Sequence, residues 1–124
     1  MSGMSELPPK VQERLVRLQQ LQRNIQAVLA QKQQVELELT ETEQALEELG
    51  TLAENAVIYK SIGSLLVRSK KGKVEADLKE RKELLDTRVQ VLNKQEERQR
   101  SQFNELQAKL KRDLGGQSSS PTMT

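Results

Sequence analysis

The chain has 124 residues, 31% of them charged and 35% hydrophobic, with one Tyr, one Phe and no Trp. So little aromatic material leaves too little to fill an ordinary globular core, and the absence of Cys and His excludes disulfides, thiolate or imidazole chemistry and the usual zinc ligands. A net charge of +2 falls short of the basic footprint of a nucleic-acid binder.

Leu, Glu, Gln, Lys, Arg and Ala dominate instead, the composition of long helices and coiled coils. Met1 to Pro9 has no basic segment followed by an apolar run, and later apolar runs are only a few residues long. A soluble, cytoplasmic protein without a membrane partner is therefore expected. Residues 1–9 read as a flexible N-terminal segment, in which Ser5 offers a cap and Pro8 and Pro9 fit only the first turn of a helix.

The first helix is predicted over residues 10–50. Its heptad places Val11, Leu18, Ile25, Lys32, Leu39 and Leu46 at a, with Arg14, Leu21, Val28, Val35, Thr42 and Leu49 at d. Nine of these twelve are apolar, a regularity that favours a two-helix seam over a surface helix. Gly50 is the expected stop.

Residues 51–72 hold the one stretch that reads as strand. Val57 to Lys60 and Leu65 to Arg68 are β-branched, aromatic or leucine-rich runs separated by Ser61, Ile62, Gly63 and Ser64, predicting a β-hairpin with a four-residue connection. Gly63 and Gly72 read as turn glycines. A lone two-stranded hairpin is marginal in water and leaves both outer edges unpaired, so the chain is expected to be a subunit.

A second helix is predicted over 73–114, with Leu78, Leu85, Leu92, Gln99, Leu106 and Asp113 at d and Lys82, Val89, Glu96, Phe103 and Leu110 at a. Glu96 and Gln99 mark a weak zone. Gly115 and Gly116 should end the helix, leaving residues 115–124 as a disordered tail. Helices of about 40 residues make arms of about 60 Å, and their equal lengths across a short connector imply an antiparallel pair. Charge agrees: Gln33 to Ala56 carries seven acids and no base, whereas Arg68 to Lys94 carries nine bases against five acids. Both segments oppose the helix macrodipole, so cross-helix pairing should outweigh it.

Leu7, Leu15, Val16 and Leu29 lie off the first seam, and Val91 and Leu114 off the second, leaving apolar surface for other apolar chains to dock on. The basic turn Arg68-Ser69-Lys70-Lys71-Gly72-Lys73 lacks the interleaved aromatics of a nucleic-acid site, and none is expected as a partner. Glu43 and Glu47 share a helix face and could hold a cation, but a solvated face explains them better. No catalytic residue, metal or cofactor is expected.

The segment Val57-Ile58-Tyr59-Lys60-Ser61-Ile62-Gly63-Ser64-Leu65-Leu66-Val67, midway between two equal coiled-coil helices, resembles the β class of prefoldin subunits, in particular the archaeal form. The resemblance covers about Val11 to Leu114. It implies a mainly α fold, a long antiparallel two-helix coiled coil joined by one β-hairpin that enters an inter-subunit β-barrel. It also implies an assembly of two alpha and four beta subunits that captures unfolded clients at its coiled-coil tips without ATP and passes them to a group II chaperonin. Carried onto this chain, Val57, Ile58, Tyr59, Ile62, Leu65, Leu66 and Val67 become assembly residues. Val11, Leu15, Val16, Leu18, Phe103, Leu106, Leu110 and Leu114 become candidates for client contact. The competing expectation is a passive coiled-coil scaffold that binds no client.

Overall fold

The computed structural model describes residues 6–118. In chain order it holds α1 (Pro9–Gly50), β1 (Ile58–Ile62), β2 (Leu65–Ser69) and α2 (Lys71–Ser118). The predicted architecture of two long helices joined by one antiparallel hairpin is the one observed. Most of the predicted N-terminal segment, residues 1–5, and the predicted tail from residue 119 onward lie outside the described residues.

Helix α1 starts as its prolines dictate. Pro8 stands just outside the helix and its carbonyl accepts from the amides of Val11 and Gln12, each at 3.0 Å, while Pro9 occupies the first helical position, where a missing N–H costs nothing. The Gln12 side chain donates to the Leu7 carbonyl at 2.7 Å, closing the turn from outside.

The other end of α1 differs in mechanism from the glycine stop expected of Gly50. Among the described residues only Gly63 has a positive φ, so Gly50 is the last helical residue and not a left-handed cap. Termination falls to Thr51, whose amide and hydroxyl both donate to the Glu48 carbonyl at 3.1 and 2.7 Å, and to a Leu52-to-Leu49 backbone bond at 3.1 Å. These tighten the last turn and satisfy carbonyls the helix leaves open.

The hairpin connection is shorter than predicted. Pairing runs from Ile58 with Ser69 to Ile62 with Leu65, so Ser61 and Ile62 belong to β1 and only Gly63-Ser64 form the loop. Gly63 has φ 58° and Ser64 does not share the positive sign, the requirement of a type II′ turn with glycine first. Such a turn matches the right-handed twist of the strands, which is why it displaces the four-residue alternative.

Helix α2 also exceeds its predicted bounds at both ends. The Lys70 carbonyl accepts from the Val74 amide at 3.0 Å, which draws Gly72 out of the turn and into the first turn of the helix. At its far end α2 runs through Gly115 and Gly116 to Ser118. Each glycine costs a helix about 1 kcal/mol against alanine, too little to stop one whose preceding turn is anchored by buried Leu110.

The described residues divide into two compact units, residues 31–92 and residues 6–30 with 93–118. In the first, Val35, Thr42 and Leu49 of α1 and Leu85 and Leu92 of α2 are buried. Arg81 reaches Glu38 at 2.8 Å and Lys82 reaches Glu43 at 3.7 Å, so the acidic stretch of α1 pairs with the basic stretch of α2. The buried Thr42 hydroxyl is satisfied by donating to the Glu38 carbonyl at 2.8 Å. In the second unit Val11, Leu21, Ile25 and Val28 are buried with Leu110, and Arg14 pairs with Asp113.

No assigned a or d position of either helix is exposed, including the polar ones. Each fully buried Leu, Ile or Val in these seams contributes roughly 1.5–3 kcal/mol, so the seams supply most of the stability the isolated chain has. The weak zone is visible too. Glu96 accepts from the Arg100 guanidinium at 2.7 Å, but Gln99 Oε1 is buried without a hydrogen-bond partner, an arrangement that costs about 1–3 kcal/mol.

Candidate functional site: exposed apolar surfaces

The hairpin is the largest departure from ordinary burial. Val57, Tyr59, Ile62, Leu65, Leu66 and Val67 are all exposed, Leu66 to 72%, and Ile58 is half-buried. Six of the seven predicted assembly residues sit on one small ribbon, Val57 immediately precedes it, and six of the seven face solvent. The register sorts them by face, because paired residues share a side: Ile58, Ile62, Leu65 and Val67 with Lys60 and Ser69 on one, Tyr59 and Leu66 with Ser61 and Arg68 on the other. Both faces are apolar, so no rotation of the ribbon hides its hydrophobic surface within this chain.

Two contacts position the ribbon. Lys60 Nζ lies 3.4 Å from Asp77 Oδ2 on α2, and Lys71 Nζ donates to the Leu52 carbonyl at 2.8 Å with Glu54 at 3.6 Å. The second ties the first turn of α2 to the segment that follows α1.

The predicted client-contact residues all fall in the other unit but split by burial. Val11 and Leu110 are buried in its seam; Leu15, Leu18, Phe103 and Leu106 are half-buried; Val16 and Leu114 are exposed at 52% and 42%. Val16 borders a shallow concavity of about 410 Å³ with Pro9, Gln12 and Glu13. Phe103 opens onto another of about 350 Å³ with Ile25, Leu29, Gln22, Gln26, Arg100 and Asn104.

Sequence reasoning missed Leu37 and Leu84, exposed at 54% and 66% in the unit that holds the hairpin. Both lie off the a/d seam, the same signal in the sequence that marks Val16. Glu43, one of the paired carboxylates considered for a cation, is engaged with Lys82. Among the described residues no cluster of three potential metal ligands occurs, and no helix is long and apolar enough to cross a membrane.

Comparison with known proteins places this geometry. A family model described as "Prefoldin subunit" matches residues 12–117. The chain belongs to the prefoldin subunit family, in its beta class. A relative from Methanothrix thermoacetophila, "Prefoldin subunit beta", is 50% identical over 93% of this chain and 94% of its own length. The protein of that name from Archaeoglobus fulgidus is 46% identical over 92% and 98%. The crystal structure of the prefoldin beta subunit from Thermococcus strain KS-1 superposes with a TM-score of 0.79 at 42% identity, covering 84% of this chain and 91% of that one. The beta2 subunit of that strain shares the fold, with a TM-score of 0.67 at 23% identity, covering 73% and 97%. Prefoldin membership brings a chaperone-type role and assembly with other prefoldin subunits.

Proposed function

We propose that this chain is the beta subunit of an ATP-independent chaperone of two alpha and four beta subunits, which captures unfolded proteins and passes them to a group II chaperonin in the cytoplasm. The match of the prefoldin model across residues 12–117 carries this reading. The exposed hairpin supports the assembly half of it: both edges of a two-stranded ribbon are open and both faces are apolar, so joining hairpins into a shared barrel satisfies edge and face together.

Client capture falls to the helix pair. Val16 and Leu114 are available to an unfolded chain as they stand, with half-buried Leu15, Leu18, Phe103 and Leu106 beside them. Val11 and Leu110 reach a client only where the seam opens, and the unpaired Gln99 carbonyl weakens the same seam about three turns along α2 from Leu110. One helix pair buries a few hundred Å² at most; at about 25 cal/mol/Å², less the ordering cost, binding is weak. Several helix pairs held in one assembly raise the effective concentration of the next contact, giving firm capture from reversible steps.

The test is light scattering of a chemically unfolded client during dilution, with this chain and an alpha-class partner. Suppressed scattering supports capture. Undiminished scattering favours the passive scaffold, and full suppression by a Val16→Ser/Leu114→Ser variant removes these two residues from the capture surface.

A further inference from the structure

From Val57 to Lys73 the chain carries five cations, Lys60, Arg68, Lys70, Lys71 and Lys73, and no acid. Two are compensated from within: Lys60 by Asp77 at 3.4 Å and Lys71 by Glu54 at 3.6 Å. Arg68, Lys70 and Lys73 have exposed side chains and no carboxylate in ion-pair range among the described residues. With Lys71 they line an open cleft of about 610 Å³ where β2 runs into α2, in which Glu54 is the one acid. Arg68 also shares a sheet face with Tyr59 and Leu66, so whatever covers those two residues must meet its charge.

We propose that Arg68, Lys70 and Lys73 select the partner of this hairpin by charge: the surface that covers Tyr59 and Leu66 is an apolar strand pair rimmed with carboxylates, seated against the basic cleft. This rests on the hairpin being the assembly surface and adds the chemistry of what it accepts. A second copy brings the same three uncompensated cations to the contact and is disfavoured. An acidic neighbour gains attraction that strengthens as the contact excludes water. The apolar ribbon supplies affinity for many partners, and the cations supply the discrimination.

A charge-reversed form of this chain, Arg68→Glu/Lys70→Glu/Lys73→Glu, serves as an acidic probe with an unchanged apolar hairpin. Sedimentation equilibrium should show wild type binding this probe roughly tenfold more tightly than it binds itself at low salt. The gap should close at about 1 M salt, where the Debye length is about 3 Å. The neutral form, Arg68→Gln/Lys70→Gln/Lys73→Gln, should self-associate more readily than wild type and without salt dependence. Equal affinities for probe and self overturn the proposal.

Leu66→Asp separates the two layers of the argument. If it abolishes association while charge reversal changes nothing, charge selection fails and the assembly surface stands. If Leu66→Asp associates normally, the assembly surface itself is wrong. Circular dichroism checks that each variant keeps its helices, with Arg68→Glu alone replacing a triple variant that does not. Retention of an oligouridylate by wild type and not by the neutral form would assign the cations to nucleic acid and also overturn the proposal.

Discussion

The helix seams and the hairpin are built from the same residue types and meet opposite fates. Leu21, Val28 and Val35 are 3–4% exposed, whereas Leu65, Leu66 and Val67 are 42–72% exposed. The seam closes because two helices of one chain present complementary stripes. The hairpin stays open because two strands have no third layer to lie against. Burial within the chain marks what holds a subunit together; apolar surface left over marks what it needs from outside.

The comparison breaks most sharply at the hairpin. Leu66→Asp places a charge in the centre of the proposed interface and should abolish co-assembly with an alpha-class subunit, lowering affinity more than 100-fold on the order expected of a buried unpaired charge, while far-UV helicity stays unchanged. The converse change in the seam, Leu21→Ala, should cost about 2–4 kcal/mol in chemical denaturation without altering which partner is bound.

Gly63→Ala tests the turn. A Cβ there meets nothing within 4 Å, so the cost is purely that of holding φ 58° with a side chain, about 1–2 kcal/mol, read as a lower melting temperature of the assembled complex. Smallest is Arg81→Ala, which removes a half-exposed pair with Glu38 and should cost at most about 0.5 kcal/mol, falling further with salt. An effect of several kcal/mol would mean that charge, and not the apolar seam, holds the helices.

The seam was fully legible in the sequence because a heptad repeat is a local pattern with one geometric solution. Even Lys32, Thr42 and Glu96 fall where the register put them. Boundaries were less legible. A glycine signals freedom without saying how it is used: Gly63 takes a left-handed turn, whereas Gly50 and Gly115 stay helical because Thr51 and Leu110 decide matters nearby. The length of the hairpin loop is not legible in the sequence because Ser61 and Ile62 suit a loop or a strand equally, and only the turn geometry at Gly63 separates the two. Among client-contact candidates, the sequence could name apolar residues near the chain ends but not rank them. Val16 and Val11 look alike in composition, and only packing shows one open and the other closed.

The most direct test of the account is sedimentation velocity of the purified chain, alone and mixed with an alpha-class prefoldin subunit, beside its Leu66→Asp variant. The account predicts a discrete larger species on mixing that the variant fails to form. A wild-type chain that stays monomeric at every concentration and gains no mass from the alpha-class subunit would contradict it.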